Sequence, residues 1–169
     1  MSVVLVRVDQ RLLHGQVAVG WAPRLDAEHI LIADDALAAD AFGREVILSA
    51  APGDLTVEVT PVEDALPRLQ ELEDRTIVLV RNPAALLRLV EGGASIPEAN
   101  VGGLYWREGA RRFLDYVFVT PDDVDAFRKL AALGVHLVAC DLPGNPKTDL
   151  NAALTDGRLE FDNLSAGRP

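Results

Sequence analysis

Four short runs of mostly apolar residues, Val3–Val8, His29–Ala33, Thr76–Val80 and Val135–Ala139, restrict what this chain can fold into more than any other feature. Each is five or six residues long and rich in Val, Ile and Leu. That is too short for a core helix and reads as a strand buried on both faces, as parallel sheets require. Helical spacing fills most of the intervals. A first helix is expected from Gln16 to about Leu25, weakened at its end by Pro23. A second follows Asp34-Asp35 from Ala36 to Ala50, where an Asp both caps and meets the helix dipole favourably. Leu55–Thr60 alternates as a strand, and Pro61 opens a helix toward Leu72 across Pro67. Asn82-Pro83 starts another helix, ended at Gly92-Gly93. Asn100–Tyr105 and Phe113–Thr120 read as two extended runs with no helix between them, so one antiparallel pairing is expected there. Pro121 begins a helix to Leu133, and a short helix follows from Asp149 to about Leu154. The rhythm predicts an α/β fold: a single-domain, three-layer, open, mostly parallel sheet with helices on both faces.

The chain has 169 residues and no repeat, low-complexity block or dividing linker. One domain over 1–169 is expected, with a tail from about 155. Its formal net charge of −10 argues against nucleic acid or an anionic membrane as the main partner, since both call for a basic face. The single cysteine, Cys140, excludes an intramolecular disulfide and a zinc site built on several cysteines. The opening residues lack a basic stretch followed by an apolar one, and no apolar run approaches the ~20 residues of a membrane span. A soluble, cytoplasmic protein is expected.

The candidate chemistry lies in Arg7-Val8-Asp9-Gln10-Arg11-Leu12-Leu13-His14-Gly15-Gln16-Val17. Here the first strand empties into a polar turn ahead of the first helix, the edge where α/β sheets gather ligands. His14 alone among the three histidines occupies such a turn; His29 and His136 fall in strands and read as structural. A neutral imidazole in this place can attack phosphorus, hold a metal or shuttle a proton. Arg11 offers a planar fork of donors to phosphate-type oxygens. Asp9 can orient Arg11 or accept the other imidazole N–H. The plain alternative is an Asp–Arg surface pair in an ordinary turn. Gly15 fits a close backbone approach or an ordinary turn equally well. Asp34-Asp35 fits helix capping better than a magnesium pocket shared with Asp9. Trp21 and Trp106 read as core or rim. The nucleotide fingerprints G-x-x-x-x-G-K-[ST] and G-x-G-x-x-G are absent, as is the G-x-S-x-G of serine hydrolases.

The segment Arg7–Val17 resembles the active-site loop of the IIB component of the bacterial sugar phosphotransferase system, mannose/fructose/sorbose class. The likeness continues through Ile32-Ala33-Asp34-Asp35, Asn82-Pro83 with Leu89–Gly93, Asn100–Gly103 followed by Arg107-Glu108-Gly109, and the helix at Asp122–Gly134. It covers the chain to about Leu154. The resemblance implies a phosphocarrier that takes a phosphoryl group from the IIA component onto His14 through Nδ1. The group then passes to a sugar carried by the IIC and IID membrane components. It also implies that Arg11 holds the phosphoryl oxygens and Asp9 supports that arrangement, with Gly15, Gln16, Arg7 and Asp34 as site wall. No cofactor and no metal are implied. The subunit would be cytoplasmic, peripherally associated with the transporter and not itself membrane-spanning, and the pattern leaves a homo-oligomer open. Many family members carry a second Asp where this chain has Gln10, which changes the local charge by one unit. A free subunit is expected rather than a fusion to IIA. Two other readings stand beside the carrier: a regulatory IIB-like module whose phosphorylation reports sugar flux, and a metal-dependent hydrolase using Asp9, Asp34 and Asp35.

Overall fold

A computed structural model describes residues 2–166. Its main sheet has seven strands: β1 (Ser2–Asp9), β2 (His29–Ala33), β3 (Thr56–Thr60), β4 (Arg75–Val80), β5 (Glu98–Gly103), β8 (His136–Ala139) and β9 (Thr148–Asp149), in the order β3-β2-β4-β1-β5-β8-β9. All neighbours are parallel except β9, which runs against β8. Alternation along the strands divides the core in two. Ile30 and Ile32 of β2 and Ile77 and Leu79 of β4 face one side. Leu31, Ala33, Val78 and Val80 face the other.

The first side is covered by a helical segment Gln16–Trp21 running into α1 (Ala22–Arg24), and by α2 (Asp35–Ala39) and α3 (Ala41–Ser49), through Val17, Trp21, Leu37 and Ile47. The second is covered by α4 (Val62–Glu71), α5 (Pro83–Glu91), α6 (Pro121–Ala132) and α7 (Leu150–Thr155), through Leu69, Leu86, Phe127 and Leu150 among others. This is the three-layer, mostly parallel α/β architecture expected from the alternation of apolar runs. Among the described residues no helix is long and apolar enough to cross a membrane.

Four elements differ from the sequence reading. The helix expected over Ala36–Ala50 is two helices, because Asp40 takes an extended conformation and its side chain accepts from the Gly43 N–H at 3.0 Å, starting α3 afresh. Phe113–Thr120 is not one strand but a hairpin, β6 (Arg111–Leu114) and β7 (Val117–Val119), turning at Asp115-Tyr116. The expected antiparallel pairing is therefore internal to that run, while Asn100–Val101 lie in β5, parallel to β1 and β8. The first helix opens as a π-helix, with the Ala22 N–H bonded to the carbonyl of Val17 five residues back. The stretch after about 155, read as a tail, returns to the body: Leu159 is fully buried, and the Arg112 N–H bonds the Ser165 carbonyl.

Candidate functional site

β1 ends at the centre of the sheet between β4 and β5, and the chain leaves it over the carboxyl edge. Asp9 makes the turn. Its Oδ1 accepts the Arg11 N–H at 3.1 Å and its carbonyl accepts the Leu12 N–H at 2.9 Å. Leu12 then takes a left-handed backbone conformation, φ +57°, unusual for a residue with a branched side chain. Burial of Leu12 and Leu13 against Val17 and Ile32 holds it there. The His14 carbonyl accepts from both the Val17 and Ala18 N–H groups, which starts the first helix. Arg11 is thereby turned outward and His14 lies partly covered over Asp9, while the leucines between them point inward.

A buried guanidinium underlies this turn. Arg7 is wholly enclosed on the face of β1 that packs toward Trp21, its guanidinium 5.5 Å from the indole centroid. Nη1 donates to Asn100 Oδ1 at 2.6 Å and to the Cys140 carbonyl at 3.1 Å. Nη2 donates to Asp9 Oδ2 at 2.9 Å and to the Asp141 carbonyl at 3.2 Å. Burial pulls Arg7 below its ordinary value, with Asp9 opposing, though a guanidinium stays charged in either case. Room for the group comes from Gly102, where the β1–β5 register slips between Val8 and Asp9. A Cβ at that position would fall inside the guanidinium. Gly103 likewise leaves space for Tyr105, whose hydroxyl lies 2.6 Å from where its Cβ would be.

Asp9 joins this interior to the histidine. The same Oδ2 that receives Arg7 stands 2.8 Å from His14 Nε2. A carboxylate only accepts, so Nε2 carries a proton toward it. Burial pushes the Asp9 carboxyl up, but the His14 hydrogen bond, the Arg7 charge and the Arg11 N–H outweigh it and hold the group below the usual carboxylate range. At the other ring nitrogen the Gln16 N–H reaches Nδ1 at 3.4 Å. Gln16 Oε1 accepts from Arg11 Nη2 at 3.1 Å and lies 3.4 Å from Arg7 Nη2. The His14 side chain is mostly covered, 14% exposed, whereas that of Arg11 is 45% exposed. The result is an imidazole held at Nε2 by Asp9, with Nδ1 facing only the long Gln16 N–H contact and cationic and amide donors around it.

The family model described as "PTS system sorbose subfamily IIB component" matches residues 3–165. The chain belongs to that family. It is 33% identical over 153 residues to the sorbose-specific EIIB component of Klebsiella pneumoniae, covering 89% of this chain and 93% of that one. Against the mannose-specific EIIAB component of Escherichia coli strain K12 it is 34% identical over 150 residues, 87% of this chain but 46% of the relative. It thus spans about half the length of that curated relative. The crystal structure of the IIBSor domain of the sorbose permease from Klebsiella pneumoniae superposes with a TM-score of 0.86 at 31% identity, covering 92% of this chain and 98% of the other. IIB components of this class are parts of a sugar phosphotransferase system.

The remaining sequence candidates fall into place around the IIB loop. Arg7, Asp9, Arg11, His14 and Gln16 come together. Gly15 is helical, and a Cβ added there meets open space, so the surface before the first helix is open to an approaching group. Asp34 is engaged by other partners. It caps α2 through the Leu37 N–H at 2.8 Å and grips Arg81 at 2.8 and 2.9 Å, while Arg81 Nη1 lies 3.4 Å from the Gln10 carbonyl. The carboxylates of the hydrolase reading are separately engaged: Asp9 by Arg7, Asp34 by Arg81 and Asp35 by Arg88. Among the described residues no three His, Cys, Asp or Glu side chains form a metal-binding group. His29 is buried in β2, and His136, as expected, lies in a strand, as the exposed first residue of β8.

Asn100, Tyr105 and the Cys140–Asp141 backbone were not evident from the sequence as parts of the site. Asn100 carried a signal, a polar side chain beside Val101 in a run that proves buried, and it spans β5 and β8 by donating to the Val138 and Cys140 carbonyls at 3.3 and 3.0 Å. Trp21, read as core or rim, also donates its indole N–H to the Asp141 carbonyl at 2.9 Å.

Proposed function

We propose that this IIB component carries a phosphoryl group on His14 Nδ1 between a IIA donor and a sugar. The observation that carries the reading is the 2.8 Å contact between Asp9 Oδ2 and His14 Nε2, which leaves Nδ1 as the nucleophile. In the first transfer the Nδ1 lone pair forms a bond to phosphorus as the donor's P–N bond breaks, and the donor imidazole leaves with that electron pair. The His14 ring becomes cationic, and Asp9 stabilises it through the Nε2 proton. In the second transfer the N–P bond breaks as a sugar hydroxyl bonds phosphorus, and the hydroxyl proton passes to solvent. Such transfers run through a loose, metaphosphate-like state, so positioning and charge stabilisation supply most of the catalysis. Arg11, half-exposed beside Gln16, is suited to the phosphoryl oxygens, and the Gln16 N–H is a further donor.

The IIA donor is suggested by the mannose-specific relative, an EIIAB component whose name joins A and B. Sugar acceptance through IIC and IID components at the cytoplasmic face of the membrane follows the family resemblance. The test is incubation of the purified protein with a phosphorylated IIA component, read by intact mass beside His14→Ala. An acid-labile gain of one phosphate, absent from His14→Ala, is the expected result. Absence of any gain with several competent donors overturns the reading. Labelling without onward transfer to sugar in membranes containing IIC and IID would leave a module that signals rather than transports.

A further inference from the structure

Arg11 is the most exposed of the charged groups in the loop, and fixing a free arginine side chain costs rotamer entropy. Yet it is held on two sides. Its guanidinium lies over the Tyr105 ring, 4.8 Å from the centroid, and its Nη2 meets Gln16 Oε1 at 3.1 Å. Tyr105 is itself tied back to the histidine loop. Its N–H donates to Gln10 Oε1 at 2.8 Å, and the Gln10 N–H donates to the Gly103 carbonyl at 2.8 Å. The ring can lie here only because position 103 is glycine. The two consecutive glycines at the end of β5 therefore each serve one arginine: Gly102 admits Arg7 directly, and Gly103 admits the ring on which Arg11 rests. Burial and the Asp9 charge, against the opposing charges of Arg11 and Arg7, keep the Tyr105 hydroxyl above its ordinary value, so the phenol stays neutral and does not compete for the guanidinium as an anion.

We infer that Tyr105 is a positioning residue for phosphoryl transfer: with its backbone tied to Gln10 and its ring seated over Gly103, that ring holds the Arg11 guanidinium against Gln16, whose N–H reaches His14 Nδ1. This rests on the reading of His14 as the phosphoryl carrier. Stacking leaves the edge N–H groups of the guanidinium free to donate in its plane while the ring face limits where that plane can lie. Gln10 fits the same scheme, because its amide oxygen bonds the backbone of Tyr105.

The test is a double-mutant cycle on the rate of phosphorylation by a fixed, limiting IIA donor, followed by intact mass. The variants are Tyr105→Phe, Tyr105→Leu, Tyr105→Ala and Arg11→Ala, with Tyr105→Ala also made on the Arg11→Ala background. Tyr105→Phe keeps the aromatic face and stays within about twofold of wild type, while Tyr105→Ala and Tyr105→Leu fall about fivefold. On the Arg11→Ala background, Tyr105→Ala has no further effect, the result a general packing role would not give. Equal rates for wild type and Tyr105→Leu, loss in Tyr105→Phe as large as in Tyr105→Leu, or a full additional loss on the Arg11→Ala background overturns the inference. If Tyr105→Ala does not fold, the Phe and Leu pair decides alone. Failure of wild type to label at all, or labelling that survives His14→Ala, refutes the carrier reading instead, so the two are separable.

Discussion

The Arg7 guanidinium occupies the volume that a side chain on Gly102 would need. An arginine tip on the surface would swing away from such an intrusion, but this one is bonded to Asp9, Asn100 and two backbone carbonyls and is fully enclosed. Gly102→Ala therefore breaks the buried pair rather than bending it. The expected loss is about 3–5 kcal/mol, the usual cost of leaving a buried charge uncompensated. Gly103→Ala meets only the Tyr105 ring and loses less. Chemical denaturation of the two variants, compared at equal slope, checks the order; a Gly102→Ala protein as stable as wild type would show that Arg7 is not anchored as described.

Asp9 is expected to act twice, on stability and on the histidine. Asp9→Asn keeps the shape but removes the charge facing Arg7 and the acceptor that fixes the Nε2 proton. Labelling of His14 should fall by about a hundredfold or more. The pH dependence follows from its lowered carboxyl. Because the folded value lies below the unfolded one near 4, the stability Asp9 contributes is full above about pH 4 and is lost as pH falls through the folded value. Wild type should thus lose stability in acid more steeply than Asp9→Asn, as measured by denaturant midpoints between neutral pH and about pH 3.

Leu12 combines a left-handed backbone with an almost completely buried side chain. Truncation to Ala removes the burial that holds the turn, at a cost of about 2–5 kcal/mol, and leaves the strained φ in place. Truncation to Gly removes the burial and the strain, which is worth about 1–2 kcal/mol for a non-glycine residue. The usual order is then reversed or erased: Leu12→Gly should melt no lower than Leu12→Ala, although glycine elsewhere is the worse substitute. A clearly lower melting temperature for the glycine variant would place the backbone of residue 12 in another region.

How much of this was legible in the sequence depended on the range of the interactions involved. β2 and β4 were readable because burial on both faces leaves an unbroken apolar run. The break between α2 and α3 was written only in Asp40, whose role as a cap depends on an extended backbone that a helical pattern hides. The hairpin turn at Asp115-Tyr116 was similarly masked by apolar residues on both sides. At the site, Asp9, Arg11 and His14 were legible because they sit within six residues at a strand-to-helix turn. The inward turn of Arg7 was not, since an arginine in a strand looks the same whether it meets solvent or Asn100, 93 residues away. Tyr105 stayed hidden for the same reason: its partner Gln10 is 95 residues distant, and only the β1–β5 register brings them together.

A final prediction lies at the opposite edge of the sheet. His136, at the start of β8, stands between Glu98 of β5 at Nδ1 and Asp149 of β9 at Nε2, each at 3.2 Å. With both ring nitrogens facing carboxylates, the imidazolium is favoured, and the Asp149 contact, joined by Glu98, raises the histidine above its ordinary value against the opposing effect of burial. The sign follows directly. A raised folded value means that the stabilisation is full below the unfolded value near 6.5 and is lost as pH rises through the folded one. The cluster is half-exposed, so solvent screening limits the effect to about 1 kcal/mol or less. Its loss should be local, because the contacts tie the short β9 and the start of α7 to the sheet. Amide exchange of the α7 residues, corrected for the intrinsic pH dependence of exchange, should show protection weakening as pH rises above about 6.5 in wild type. His136→Gln should show a flat protection profile over the same range, and equal slopes for the two proteins would remove His136 from the account of how β9 is held.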